Sequence, residues 1–371
     1  MAYSKLSMTA PNKKNTFLIT IDVEDWFQVE NFKSYIPHTT WDSRNLRVEG
    51  NTHKLLDLFD SFGSKAGAKS QKLGKDSRNQ GVNGSSETNQ TSASEIFYPV
   101  KSCSENHHFT RGRRNERSEF HRANSTNKTE PSVRTTFFIL GWIAERLPSL
   151  VREIHDRGHE VASHGFDHEM CNRQSPSALK ADLVKSKQLL EDIIGADVHG
   201  YRAPSFSVDK DILKLIEDAG YRYDSSYNSF DKHGRYGKLT TNGFQRTGIA
   251  YQISDSFHEL PVSNLSIHNS QSKINNYLLP WAGGGYFRLI PHAIFNMGVR
   301  SILKKESGYL FYLHPWEIDP LQPRVNQAST FFKFRHYINL HKTEDKLKKM
   351  IRKFGYCRFS TCKAYLASAI T

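Results

Sequence analysis

The run Glu160-Val161-Ala162-Ser163-His164-Gly165-Phe166-Asp167-His168 places two imidazoles four residues apart, directly after a short apolar segment that reads as a strand running into a polar loop. A loop at a strand end can aim both rings at one metal ion, since neutral imidazole is a common ligand for zinc-like metals. With 17 histidines in 371 residues such a pair also arises by chance, so its meaning depends on what the rest of the chain supplies. A catalytic metal usually has three protein ligands and one open position. Phe17-Leu18-Ile19-Thr20-Ile21 is an apolar, β-branched run that reads as a buried strand, and it ends in Asp22-Val23-Glu24-Asp25-Trp26. Three carboxylates at the mouth of a buried strand repel one another, and a cation relieves that repulsion.

Three further strand ends carry ionisable groups. Gly200-Tyr201-Arg202-Ala203-Pro204-Ser205-Phe206 offers an arginine, with Pro204 keeping Ala203 extended. Arg202 could grip a carboxylate and keep it ionised. Tyr221-Arg222-Tyr223-Asp224 ends in an acid, and Gly308-Tyr309-Leu310-Phe311-Tyr312-Leu313-His314-Pro315-Trp316-Glu317 delivers a histidine. Between these strands lie helices: Thr52 to Phe62 near Gly63, Gly141 to Arg157 with Gly158 as cap, Pro176 to Ile194 after Ser175 and before Gly195, and Val208 to Ala219. Alternating strands and helices predict an α/β fold with a parallel sheet rolled into a barrel, whose chemistry sits at the carboxyl ends of the strands.

These motifs, in this order, resemble the NodB-type polysaccharide deacetylases of carbohydrate esterase family 4. The likeness spans most of the chain outside one insertion. It is fullest toward the exosortase-associated exopolysaccharide deacetylases, through Asp22 to Phe27, Phe137-Phe138-Ile139-Leu140-Gly141-Trp142, Gly283-Gly284-Gly285-Tyr286-Phe287-Arg288 and Phe334-Arg335-His336-Tyr337-Ile338-Asn339. The resemblance implies a distorted (β/α) barrel that binds a divalent metal ion, zinc being the first choice, and an N-acetylated glycan. It implies Asp22 as general base, His164 and His168 as metal ligands, Arg202 orienting the base, Asp224 tuning the acid and His314 as general acid. Most family members have adjacent aspartates where this chain has Asp-Val-Glu-Asp. Relatives with Asp-x-Asp spacing favour Glu24 as third ligand, and Asp25 stays open. The chemistry is coherent: amide hydrolysis needs an activated water, a stabilised oxyanion and a proton for the leaving amine. Tyr201, Pro204, Phe206, Trp281, Tyr286, Leu313 and Trp316 are candidates for the substrate wall, with Tyr227 as a further aromatic; for each, core packing is the competing reading.

Hydrophobic residues make up 37% of the chain, and 23 phenylalanines can build a substantial core. The net charge of +13 is uneven: residues 64–132 carry +5 and residues 333–363 carry +8. The remainder is nearly neutral, which argues against a nucleic-acid adaptor. Lys342, Lys346, Lys349 and Lys353 lie at helical spacing opposite Leu340, Leu347, Met350, Ile351 and Phe354. They predict an amphipathic helix with a solvated basic face, also suited to an anionic polymer or membrane surface. The chain divides into a polar tail (1–15), a barrel (16–63 and 133–320), a low-complexity insertion expected to be disordered (64–132) and a basic helical extension (321–371). No apolar run approaches the roughly 20 residues of a spanning helix, and no basic-then-apolar leader pattern is seen, so a cytoplasmic location is the expectation. Cys103, Cys171, Cys357 and Cys362 read as free thiols. The leading function is N-deacetylation of a bacterial exopolysaccharide or its precursor. The alternatives are the same chemistry on peptidoglycan, chitin oligomers or a small cyclic amide, or a silent glycan-binding module.

Overall fold

In the computed structural model, residues 15–62, 133–230, 236–268 and 276–370 are described. The strands are β1 (Thr16–Val23), β2 (Thr136–Ile139), β3 (Glu160–Ser163), β4 (Gly200–Tyr201), β5 (Tyr223–Asp224), β6 (Gln245–Thr247), β7 (Ala250–Gln252), β8 (His258–Glu259), β9 (Asn264–His268), β10 (Asn276–Pro280), β11 (Gly308–Leu313) and β12 (Arg358–Ser360). The helices are α1 (Val48–Asp60), α2 (Gly141–Arg146), α3 (Pro148–Asp156), α4 (Pro176–Ile194), α5 (Lys210–Asp218), α6 (Gly284–Leu289), α7 (His292–Glu306), α8 (Thr330–Tyr337), α9 (Leu340–Lys353) and α10 (Cys362–Ile370). The fold is α/β, with the parallel order β11-β1-β2-β3-β4-β5-β8 curling into a half-barrel and β7 and β6 continuing antiparallel.

No regular ladder joins β8 to β11. The chain after β8 bridges that gap instead: Val262 N–H donates to Tyr227 O, and Ser263 N–H to Leu310 O at 3.4 Å. This irregular closure is the distortion of the barrel.

Side-chain parity organises everything that follows. Successive residues of a strand point to opposite faces. Phe17, Ile19, Ile21 and Val23 of β1 face outward into the larger core, beneath the helices, together with Phe137, Ile139, Tyr309, Phe311 and Leu313. Leu18, Phe138, Ala162, Tyr223, Leu260 and Leu310 fill the barrel interior as a separate cluster. The inward sequence of β1 therefore runs Leu18, Thr20, Asp22, and the next member of that parity is Glu24.

The interior is plugged at the opposite end. Strand β12 pairs in parallel with the start of β1, and α10 sends Cys362, Tyr365 and Leu366 into the interior cluster. Cys362 N–H donates to Thr136 Oγ1 (2.9 Å) and Lys363 N–H to Glu160 Oε2 (3.0 Å).

Helix α4 begins and ends at the expected residues: Ser175 Oγ accepts from Ala178 N–H, and Gly195 takes a left-handed φ of 64° at the C-terminus. The helix expected over Gly141 to Arg157 is two helices, because Pro148 excludes Leu147 from helical geometry and starts a second turn. Among the described residues no helix is long and apolar enough to cross a membrane, and Cys171, Cys357 and Cys362 are free and buried. Cys103 and the expected insertion lie outside the described residues.

Candidate active site

The carboxyl ends of β1, β3, β4 and β11 bring Asp22, Glu24, His164, Arg202 and His314 together, all of inward parity. His164 directly follows β3, and the chain then turns through Gly165 at φ 74°. The left-handed φ favours glycine, and a Cβ there would also press on the Asp182 carboxylate at 3.1 Å. The loop is pinned at its back: Gly141 and Trp142 donate N–H to Gly165 O (2.8 Å) and Phe166 O (3.0 Å), and Phe166 N–H donates to the Asp182 carboxylate (3.0 Å). Gly141 has no Cβ where the Phe166 ring sits, which explains a glycine in the Leu140-Gly141-Trp142 motif. The loop then returns His168, itself in the left-handed region at φ 56°, beside His164.

His164 Nε2 and His168 Nε2 lie 3.6 and 3.5 Å from Glu24 Oε1. One ligand atom from each of these three buried residues falls within 4.8 Å of the others. His164 Nδ1 is bonded to Arg202 O at 2.8 Å, so this nitrogen carries the hydrogen and Nε2 offers its lone pair to the centre. Two imidazole nitrogens and a carboxylate suit a divalent ion such as zinc and leave further positions open. Burial alone would raise the Glu24 carboxyl, but His168, His314 and His164 override it and hold Glu24 well below the ordinary carboxylate range.

Asp25 goes elsewhere. Its Oδ2 accepts from Arg47 N–H (2.6 Å) and Val48 N–H (2.9 Å), and its Oδ1 from Trp26 N–H (2.8 Å). It therefore caps the start of α1 from the outward face, and its carboxylate is used up there.

Asp22 Oδ1 receives Arg202 Nη1 at 2.6 Å, which leaves Oδ2 facing His314 Nε2 at 3.9 Å. Arg202 is fully buried and well committed: it also donates to Thr20 Oγ1 (2.7 Å), Ser225 O (2.9 Å) and Ser225 Oγ (2.8 Å), and its guanidinium lies 4.1 Å over the Phe138 ring.

His314 Nε2 sits 3.2 Å from Glu24 Oε1, while its Nδ1 donates to Glu317 Oε1 at 2.8 Å. Glu317 is in turn held by Arg288 Nε at 2.7 Å. Arg288 spends its remaining donors on the carbonyls of Arg335 (3.1 Å), His336 (2.8 Å) and Ile338 (2.8 Å) at the end of α8. Burial would depress the His314 ring, yet Glu24 and Glu317 raise it well above the usual histidine range. Glu317, not Asp224, is thus the carboxylate bonded to His314. Asp224 accepts from Ser226 N–H (3.0 Å) and Oγ–H (2.7 Å). Burial raises both Asp224 and Glu259, and the Asp224 charge lifts Glu259 further.

A cavity of about 150 Å³ opens over these groups, lined by Asp22, Glu24, Val29, Glu30, Asn31, His164, His168, Ser205, Phe206, Tyr236, Tyr312, His314, Trp316 and Arg335. Ser205 and Phe206 both adopt left-handed φ values, 55° and 58°, which turns the Phe206 ring toward the cavity. Of the seven expected wall residues, Phe206 and Trp316 line it. Tyr201 and Leu313 have outward parity and belong to the core, and Trp281 stacks on Phe295 with its Nε1–H on Phe295 O. Pro204 and Tyr286 do not line the cavity either. The glycine motif 283–285 has another role: side chains at Gly283 and Gly284 would collide with Tyr312 and Glu317. It makes room for the residues behind His314.

Residues 129–223 match the family model described as polysaccharide deacetylase, and residues 225–366 match a domain of unknown function. The likeness to a polysaccharide deacetylase domain thus lies in residues 129–223. It is 33% identical over 123 residues to a peptidoglycan deacetylase-like protein of Gibberella zeae (33% of this chain, 36% of that one). It is 32% identical over 97 residues to a peptidoglycan deacetylase of Helicobacter pylori (26% and 33%). The chain thus spans roughly a third of the length of these curated relatives. Among solved structures, an allantoinase aligns with TM-score 0.49 at 10% identity, over 96% of this chain and 90% of that one.

Proposed function

We propose that this protein is a metal-dependent hydrolase that removes acetyl groups from N-acetylhexosamine units of a glycan. One observation carries the reading: the Nε2 atoms of His164 and His168 converge on Glu24 beside the Asp22–Arg202 pair and His314, at a single cavity. Glu24, His164 and His168 would hold the ion. When bound, it supplies Lewis acidity, polarising the acetamide carbonyl and making water easier to deprotonate.

The remaining steps belong to the chain's own side chains. Asp22 accepts the proton of the attacking water, and Arg202 grips Oδ1 and leaves Oδ2 turned toward the cavity. His314 delivers a proton to the departing amine from Nε2, while Glu317 holds its Nδ1–H and favours the imidazolium. A carboxylate base paired with arginine and an imidazole acid held protonated, 3.9 Å apart, make the pairing that amide hydrolysis requires. Because every member of this set is present, an active hydrolase is favoured over a silent glycan-binding module. Residues 16–63 and 133–320 form the catalytic body in this reading, and residues 321–371 brace it.

An exopolysaccharide or its precursor is the substrate favoured by the subgroup motifs; peptidoglycan is the substrate in the names of the relatives described above. Acetate release by the purified, zinc-loaded protein on N-acetylated exopolysaccharide, peptidoglycan and chitin oligomers separates these. Full metal loading with no acetate from any of them would overturn the hydrolase reading.

A further inference from the structure

We infer that Arg335 forms an anion-recognising subsite on the cavity wall, so that the glycan carries a carboxylate or phosphate close to the acetamide that is cut. This deepens the deacetylase reading and rests on it.

Three arginines are committed to carboxylates that line the cavity or hold His314: Arg202 to Asp22, Arg173 to Glu30 and Arg288 to Glu317. Arg335 also lines the cavity, yet among the described residues its guanidinium has no carboxylate partner. Its guanidinium carbon lies 5.6 Å from the centroid of the Phe331 ring. The negative groups of the cavity are each answered already: Asp22 by Arg202, Glu30 by Arg173 at 3.2 Å, and Glu24 by the histidines. Among the described residues that line the cavity, Arg335 is a permanent charge with no ion-pair partner.

The placement of this arginine is fixed. Its own carbonyl is held by Arg288 Nη2, and the next residue, His336, stacks on Trp316 at 4.1 Å with an 11° interplanar angle. Trp316 itself stacks on His314 at 5.2 Å. The last turn of α8 is thus bolted to the same network that holds His314, and Arg335 is presented on a rigid element. Phe32 packs on His336 at 4.6 Å and brings Glu30 to the neighbouring wall. The Glu30 side chain is 10% exposed, and its Oε2 has no hydrogen-bond partner. An acceptor of this kind suits a sugar hydroxyl, while a planar guanidinium suits a carboxylate or phosphate in bidentate contact.

The test uses the full, zinc-loaded chain and three probes: neutral chitotetraose, a hyaluronan tetrasaccharide carrying uronate carboxylates, and UDP-N-acetylglucosamine carrying a diphosphate. The wild type should favour one charged probe over the neutral one, and which one identifies the anion. In Arg335→Gln the charged-to-neutral ratio of kcat/KM should fall about ten- to a hundredfold, mainly through KM, as for one lost charge-assisted contact. Arg335→Lys should recover part of it. An equal ratio in wild type and Arg335→Gln would overturn the subsite. Should no probe be hydrolysed, calorimetric binding of the same probes to chelator-treated protein still decides. Arg335-dependent binding of a charged probe supports the subsite while the hydrolase reading fails; binding indifferent to Arg335 sinks the subsite.

Discussion

The two ends of the barrel each bury a glutamate, and the two glutamates are opposites. Glu160 opens β3 at the plugged end, where Oε1 accepts from the Tyr223 hydroxyl (2.8 Å) and Oε2 from the Thr136 hydroxyl (2.8 Å) and Lys363 N–H. Burial dominates there and raises its carboxyl. Glu24 stands at the open end, and its neighbours are three imidazoles at 3.2–3.6 Å, which hold it well below the ordinary range despite equal burial. Burial alone therefore says little about a carboxylate's role. An acid whose lone pairs are consumed by neutral donors is structural, and one facing a cavity among ring nitrogens is available for chemistry.

The sharpest way to break this contrast is Glu24→Gln. It should remove most bound metal and lower acetate release by about a thousandfold or more, the scale of several kcal/mol of lost Lewis-acid assistance. Metal analysis alongside turnover checks it; full stoichiometry in the variant would return the ligand role to another residue. Asp22→Asn should retain metal yet slow turnover by about a hundredfold to ten-thousandfold. Glu317→Gln should act more mildly, with a pH signature. Loss of that carboxylate lowers the raised His314 value, so the imidazolium disappears at lower pH and the alkaline limb of the kcat profile moves downward. A limb in the same place would detach Glu317 from His314. Glu160→Gln should cost about 1–3 kcal/mol in denaturant unfolding, because a single carbonyl replaces two accepting oxygens, with the kcat of the folded protein unchanged. The smallest effect is expected for Asp25→Ala, about 0.5–2 kcal/mol from a lost α1 cap, with metal content intact. Metal loss in that variant would contradict the outward placement of Asp25.

Much of this was legible in the chain because the strongest signals are local. A β-branched run ending in acids, and an imidazole pair after a short strand, mark strand ends without reference to the rest of the fold. The choice between Glu24 and Asp25 was also latent there: period two puts Glu24 on the face of Asp22 and Asp25 on the other. The same parity removes Tyr201 and Leu313 from the cavity.

The tertiary partners were not legible. Glu317 stands three residues after His314, and Arg288 lies within a motif already noted. Only the packing of α6 against β11 and the end of α8 joins them, over distances that no pattern encodes. Aromatic residues misled for a related reason, since Trp281 is as suitable for a core as for a sugar face and sequence does not record which neighbours it meets. Tyr312, Tyr236 and Asn31 line the cavity through the same nonlocal geometry.

Strand β1 lies between β2 and β11 and also receives β12, so Thr16 is paired with both Gly308 and Arg358. During synthesis β2 can pair with the end of β1 early, but the edge that takes β11 and the start that takes β12 must wait for strands far later in the chain. Connectivity of this kind is slow to fold, and it exposes an apolar strand to wrong partners in the interval. Refolding yield should accordingly fall as protein concentration rises, and a yield independent of concentration would show that the waiting strand is sheltered by some other means.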